Sequence, residues 1–395
     1  MRLTHSRLIL FILAVLISTG VRSNARAQIS DSARVSILTI YPGDAIYSLW
    51  GHSALRIEDP VTQTDISYNY GTFDFRNPFS FILRFAYGKL DYQLSLHYSS
   101  ALVEHSWLSQ RRGVVEQRLN MTGEETRALH EYLSINALPL NRVYRYDFLY
   151  DNCATRILDA LEYALQTDIA DSTSAGVTFR NLIRPYLRTH AGLDLAINLA
   201  MGIPVDRDAT QRQLSFLPIE LQALLEHAQT RTGAQLVVQT DTLFGNPVSP
   251  EPRHTMSFPT TIGWLILLVA LLLSVHDIFQ PRRRVFDAVL LGIVTVLGLL
   301  ITFFWLVSLH EITRPNLHIL WAWPLHVLPL FFSRKPWTTV YWYAATCAAA
   351  VFVLGAPWWA QSLPSATIPM ALAVAIRCFI LARVPRTGFE PVLPA

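Results

Sequence analysis

The last third of the chain changes character abruptly, and that change limits what the rest can be. Five apolar stretches there approach the length that crosses a bilayer: Thr261 to Phe279, Phe286 to Leu309, Leu317 to Phe332, Trp337 to Leu354 and Leu363 to Leu381. The third is short and is interrupted by Pro324 and Pro329. Charged residues make up only 15% of the 395, against about a quarter in an average soluble domain. The pattern predicts an all-α, five-helix transmembrane domain over residues 260–382 and a cytoplasmic tail at 383–395.

Charge placement orients the bundle. With the preceding domain outside, the first span ends inside at PRRR, Pro281 to Arg284, and the third at SRKP. The fifth leaves Arg383 and Arg386 inside, while the Trp358-Trp359 pair falls on the outer boundary. This is the positive-inside distribution. At the other end, Arg2 and Arg7 precede the apolar run Leu8 to Ser18, and Ala25-Arg26-Ala27 comes after it. That reads as a signal peptide over 1–27, which would export the domain behind it. Residues 246–259 carry Pro247, Pro250, Pro252 and Pro259 and read as an extended linker. The expected address is a bacterial inner membrane, with the domain of residues 28–245 on its periplasmic side.

That exported domain reads as α+β. Val35 to Ile40, Ser53 to Glu58, Ile66 to Tyr70 and Gly113 to Leu119 have the β-branched content of strands. Thr122 and Glu125 form a T-x-x-E capping box for a helix to about Ile135. Further helices are expected from Asn152, over Phe179 to Thr189, over Leu193 to Met201, and over Ile219 to Thr232 with Gly233 as its stop. The net charge of +3 is too small to argue for nucleic acid. The chain has no phosphate-binding glycine loop, CxxC or HExxH, so no metal or other cofactor is implied.

Cys153 is the only cysteine of the expected exported region, and the other two, Cys347 and Cys378, fall inside expected spans. A disulfide is therefore ruled out by reach, which leaves a buried structural thiol or a nucleophile. Asp151 and Asn152 before it are N-cap types. A thiol in a first helical turn meets unpaired amides and the positive end of the helix dipole, both of which favour thiolate. A nucleophile needs a base. His97, His105, His130, His190, His227 and His254 read as surface, core or linker residues, whereas His52 opens a strand in LWGHSALRIED. A base at a strand edge facing a helix N-terminus suits cysteine–histidine chemistry.

The order GHSALRI, ISYNYGTFDF and then NCATRIL resembles the circularly permuted papain-like, NlpC-type hydrolases. More closely, YPGDAIYSLWGHSALRI, YNYGTFDF, YGKLDYQL and YDNCATRILD are similar to the Lnb-type lipoprotein N-acyltransferases. TFRNLIRPYL, DLAINLAMGIPVDR and HEITRPNLHILWAWPLH extend the likeness into the membrane part. The resemblance implies a permuted papain-like domain with Cys153 as nucleophile and His52 as base. Its third polar group, from the strand after the histidine, is expected at Asn69, since Tyr68 and Tyr70 would point to the opposite face; Asp65 and Asp74 are alternatives. The implied partners are the membrane, a phospholipid acyl donor and lipid-modified lipoproteins. A phospholipase, a cell-wall amidase or peptidase, and a non-enzymatic membrane-anchored sensor are the rival readings.

Several residues stay open at this level. Tyr47, Trp50, Tyr70, Phe73 and Phe75 suit a core or an acyl-chain slot. Asp194, Asn198 and Asp206 suit helix surfaces or caps, and His310 and Asn316 lie at the outer boundary, where a lipid headgroup or plain loop polarity accounts for them. Asp287 and Arg377 sit near or within spans, where ionisable groups are costly.

Overall fold

Alternation along β1, Arg34–Ile40, sends Val35 and Ile37 to one face and Leu38 and Ile40 to the other, and all four are buried. A strand buried on both faces must sit inside a sheet, and β1 does. The computed structural model describes residues 29–73, 76–245, 258–279, 285–332 and 335–383. The expected signal peptide, most of the linker, the PRRR run and the tail from 384 lie outside these residues.

The strands that flank β1 are β2 (His52–Asp59), β3 (Thr64–Thr72), β4 (Asp91–Tyr98), β5 (Val114–Leu119), β6 (Val143–Arg145) and the later Val237–Phe244. Two short strands, β7 (Ser174–Thr178) and β8 (Asp208–Thr210), pair apart, so Val237–Phe244 is β9. The sheet order is β6-β4-β3-β2-β1-β5-β9, antiparallel throughout. Four helices matter for the exported part: α1 (Pro78–Tyr87), α2 (Gly123–Asn136), α3 (Cys153–Leu165) and α4 (Ala191–Ala200). Leu129 and Leu133 of α2 and Ile157, Leu158 and Leu161 of α3 share one core with Val35, Ile37, Leu55 and Ile57.

Thr122 caps α2 by the expected box, Glu125 answering with its carboxylate. The helix at Phe179–Ile183 tightens to a 3-10 turn over Arg184–Leu187, where Pro185 has no N–H to continue an α-helix. The helix expected to run to Thr232 is Pro218–His227 and stops five residues short. Leu236 N–H donates to Ala228 O and Gln229 bridges Gln235, so the chain turns back early to enter β9.

In the membrane region the long helices are α5 (Phe258–Phe279), α6 (Val285–Leu306), α7 (Trp337–Gly355) and α8 (Thr367–Arg383). Among the described residues, 258–279, 285–306 and 337–358 are long and apolar enough to cross a membrane. The third expected span is not one helix. It forms a 3-10 turn at Leu317–Leu320 and a four-residue helix at Leu328–Phe331, with Pro324 and Pro329 interrupting the ladder. Irregular backbone at membrane depth survives only when protein surrounds it, and His318, Trp321, Ala322 and His326 are indeed buried. Gly298 of α6 allows the approach, because a Cβ there would collide with Ala322 O.

Arg377 of α8 does not reach for the interface. Its Nε donates to Asp287 Oδ1 at 2.7 Å, its Nη2 to Asp277 Oδ2 at 2.6 Å, and its Nη1 to Ser274 Oγ at 3.0 Å. One buried cation thus ties three helices together. Several residues left open by the sequence, Asn316, Asn198, Asp194 and Asp206 among them, lie at the joint to the exported domain. Gly202 N–H donates to Ile312 O and Ile203 N–H to Pro315 O, both at 2.9 Å. Asn316 Nδ2 donates to Leu199 O at 2.8 Å, and Gln361 Nε2 to Met201 O at 3.1 Å. Beneath them buried Arg180 holds Asp206 through Nε and Nη2 and reaches Asn198 Oδ1 at 2.7 Å, and Asn198 in turn donates to Asp194.

Arg377→Leu removes the cation that two buried carboxylates share, and breaking a buried ion pair typically costs about 3–5 kcal/mol. The expected outcome is a clear fall in the thermal midpoint of the detergent-solubilised protein, with Arg377→Lys falling less. An unchanged midpoint in both would mean the triad does not hold the bundle.

Candidate active site

The first turn of α3 is fastened before its thiol does anything. Asn152 Oδ1 accepts from Ala154 N–H at 2.8 Å and Thr155 N–H at 3.1 Å. Its Nδ2 donates to Phe148 O and Phe216 O, both at 2.8 Å, and Thr155 Oγ1 accepts from Asn152 N–H. Four partners leave the buried Asn152 no freedom, so the direction of Cys153 is set. As first residue of the helix, Cys153 has a backbone N–H with no intrahelical acceptor. Asp151, the other cap-type residue, instead grips Arg156, whose Nη2 donates to it at 2.8 Å.

The sheet brings the partners. Ile40 pairs with His52, so the imidazole stands at the end of β2 where α3 begins. His52 Nε2 lies 2.6 Å from Asn69 Oδ1. The amide oxygen accepts from Nε2–H, which leaves Nδ1 for the thiol, and His52 and Cys153 are close enough to perturb each other's charge. Asn69 sits between buried Tyr68 and Tyr70 on β3. Immediately after it the β3–β4 register slips: Asn69 faces Ser95, but Thr72 faces Gln93. This bulge carries Gly71 at φ +92, a conformation that strains any side chain. A Cβ at Gly71 would stand 3.5 Å from Cys153 Cβ and 3.7 Å from His52 Cε1, so its absence keeps the face of the pair open.

Electrostatics separate the two charges in opposite senses. Burial opposes ionisation of Cys153, yet neighbouring His52 and the N–H groups of Ser53 and Ala154 pull its pKa below the ordinary thiol value. Burial likewise opposes a charge on His52, but Cys153 and the Asn69 hydrogen bond lift its pKa above the usual imidazole value. Both shifts favour thiolate beside imidazolium. Arg112 is buried nearby, donating to Tyr41 O at 2.7 Å and Gln110 Oε1 at 2.9 Å, and burial pushes its pKa down to about 10.

The structure therefore brings Cys153, His52 and Asn69 to one point. Asp65 is not there: Arg56 holds it by two bonds of 2.8 and 2.9 Å. Asp74 and Phe75 lie outside the described residues, as does His254. His97 bonds Ser95, the residue opposite Asn69 on β4, and His105 approaches Gln110. Among the aromatic candidates Tyr70 is core and Tyr47 is exposed. Trp50 packs on Phe148, while Phe73 lies 5.1 Å from Tyr92 between ring centroids.

Three participants were not anticipated from the sequence. One is Gly71, whose place directly after a Tyr-Asn-Tyr alternation was its only signal. Arg112 looked like any basic residue beside a strand. Tyr144, in the short β6, has a buried hydroxyl that finds no hydrogen-bond partner among the described residues. It lies 4.0 Å from the point where a Gly71 Cβ would stand, and Arg156 covers its ring at 3.7 Å. A buried donor with no acceptor beside a thiol is suited to receive an oxygen from outside the chain.

A family model described as the Lnb N-terminal periplasmic domain matches residues 23–185, which include Cys153, His52 and Asn69. A second, described as the Lnb transmembrane domain, matches residues 251–386. No curated protein and no solved structure matches the chain.

The shifts set a pH window with a definite sign. The thiolate is lost only as pH falls through the lowered Cys153 value, and the imidazolium only as pH rises through the raised His52 value. Alkylation of Cys153 by iodoacetamide is expected to stay fast below the ordinary thiol range and to decline on the acid side. His52→Ala leaves burial unopposed by the imidazole and should move the profile to higher pH. A profile unmoved by that substitution would remove His52 from beside the sulfur.

Proposed function

The chain belongs to the Lnb family through both its periplasmic and its transmembrane domain, and from that premise we propose that it is a membrane-bound thiol acyltransferase acting on lipoproteins. Cys153 is its nucleophile, His52 its acid and base, and Asn69 the group that orients the imidazole. The observation that carries the reading is the Cys153–His52–Asn69 line at the capped start of α3, in a domain joined to apolar helices. The histidine strand preceding the cysteine helix fits a circularly permuted papain-like domain.

Cys153 Sγ attacks the carbonyl carbon of a phospholipid ester. The negative charge that develops on the carbonyl oxygen is met by the Cys153 N–H and the Tyr144 hydroxyl. As the ester C–O bond breaks, the imidazolium of His52 gives its proton to the departing oxygen, leaving a thioester on Cys153 and a lysophospholipid. The free α-amino group of a lipid-modified lipoprotein then attacks the thioester. His52 takes the proton from that nitrogen, the C–S bond breaks, and an amide and the thiolate result. Donor and acceptor are both confined to the bilayer, so a nucleophile tethered there meets them at high effective concentration. The apolar helices and the basic runs Pro281 to Arg284 and Ser333 to Pro336 support an inner-membrane seat, with the domain on the periplasmic side.

Mass spectrometry of a reporter lipoprotein tests the proposal. Cys153→Ala should leave its N-terminus unacylated, and His52→Ala should slow transfer by about 10²–10⁴-fold. Asn69→Ala should cost less than His52→Ala, because the imidazole survives and only its orientation suffers. Full acylation with Cys153→Ala would end the reading, and free fatty acid as the sole product would replace it with a phospholipase.

A further inference from the structure

Helix α1 breaks the rule that a soluble surface helix hides its apolar face. Phe79, Ile82, Leu83 and Phe85 are 74, 60, 54 and 47% exposed. Phe79, Ile82 and Leu83 follow the i, i+3, i+4 spacing of one stripe. Its sequence, PFSFILRFAY, contains no acid and one base, Arg84. Asn77 caps its start by accepting from Ser80 N–H, and Gly88 at φ +79 ends it, so the element is well formed. Such a patch needs an occupant.

Its position says which. The last carbonyls of α1 are taken by residues just past the end of α6. Leu309 N–H donates to Tyr87 O at 2.9 Å, Ser308 Oγ to Ala86 O at 2.8 Å, and His310 Nε2 to Phe85 O at 2.6 Å. Leu306, closing α6, is itself largely exposed, and α6 is one of the helices able to cross a bilayer. The stripe therefore lies at the level where a spanning helix leaves the hydrocarbon. An apolar face with a basic rather than acidic companion is the composition of a helix lying in a membrane interface.

The inner side of α1 leads to the thiol. Phe81 is 5.1 Å from Phe73 between ring centroids, Phe73 is 5.1 Å from Tyr92, and Tyr92 stacks on Tyr146 at 4.2 Å. All four rings pack on the same core cluster as Cys153. Phe73 stands two residues beyond Gly71, the open position beside Cys153 Cβ. We propose that α1 is an in-plane membrane helix lying in the outer leaflet, and that the aromatic strip behind it leads one acyl chain of a phospholipid to Cys153. The second half rests on the acyltransferase reading; the first does not.

The full-length protein in vesicles of phosphatidylethanolamine and phosphatidylglycerol, doped with phosphatidylethanolamine bearing a diazirine on one acyl chain, tests both. After irradiation, adducts mapped by mass spectrometry are expected on the α1 peptide and on peptides containing Phe73 or Tyr92. Adducts confined to the spanning helices would overturn the proposal. Ile82→Asp with Leu83→Asp should remove the α1 adducts and slow acylation of Cys153 severalfold, while alkylation of Cys153 by a small water-soluble reagent stays at the wild-type rate. Ile82→Ser alone should act in the same direction to a smaller extent, should the double variant fail to fold. Unchanged adducts and unchanged acylation in the variants would also overturn it. Adducts on α1 with no acyl thioester on the wild-type Cys153 would leave the helix in the leaflet and sink the acyltransferase reading instead.

Discussion

Asn152 is the residue on which the site hangs. Its side chain satisfies two amides of α3 with one oxygen and reaches two carbonyls, Phe148 O and Phe216 O, with its nitrogen. Those carbonyls belong to segments far apart in the chain, so a single buried amide joins helix start, preceding loop and the turn before Pro218. A cap usually contributes about 1 kcal/mol of helix stability. Here its geometric effect matters more, because the direction of α3 at its first residue is the direction of the thiol. Everything else at the site is brought to that point by the sheet.

The sheet does so through register. Ile40 opposite His52 places the imidazole at a strand end, and the slip after Asn69 lets the amide reach the ring without a side chain intruding at Gly71. A bulge costs ladder hydrogen bonds locally, and such features gather beside functional sites because they re-aim a side chain. Arg112 lies within electrostatic reach of Cys153, and Tyr144 brings a buried hydroxyl with no partner among the described residues close to Gly71.

Two buried arginines do comparable structural work at different depths. Arg180 gathers Asp206, Asn198 and the carbonyls of Met201 and Gly202 under the joint between domain and bundle. Arg377 gathers Asp277, Asp287 and Ser274 inside the bundle. Buried ion pairs are not strong sources of net stability, because desolvation offsets much of the attraction, but breaking one is costly. Above Arg180, hydrogen bonds at Gly202, Ile203 and Asn316 fasten the domain to the membrane part.

Local signals were legible wherever the chain closes its own hydrogen bonds. The Thr122 box, the Asn152 cap and the buried alternation of β1 are properties of a few consecutive residues, and the sequence alone determined them. It also determined that a long apolar region comes after a mixed domain, since composition needs no partner. What it could not decide was anything set by residues distant in the chain. A strict alternation, Tyr92, Leu94, Leu96 and Tyr98 between polar residues, marks β4 as well, although no strand was expected there, whereas the edge strand β9 is polar from Gln239 to Thr242 and becomes a strand because β5 offers a ladder. Pro324 and Pro329 showed that the third apolar stretch was irregular, but only Gly298 and the surrounding helices decided that it could be buried so. The pairing of His52 with Asn69 rather than Asp65 was settled by register, since Asp65 lies opposite Glu58 at the far end of β2, where Arg56 on that neighbouring strand holds it. The lone thiol of YDNCATRIL was readable as capped from its neighbours; that an imidazole meets it, and from which direction, is a fact of packing, because side chains 101 positions apart in number share a point only once the sheet and helix are assembled.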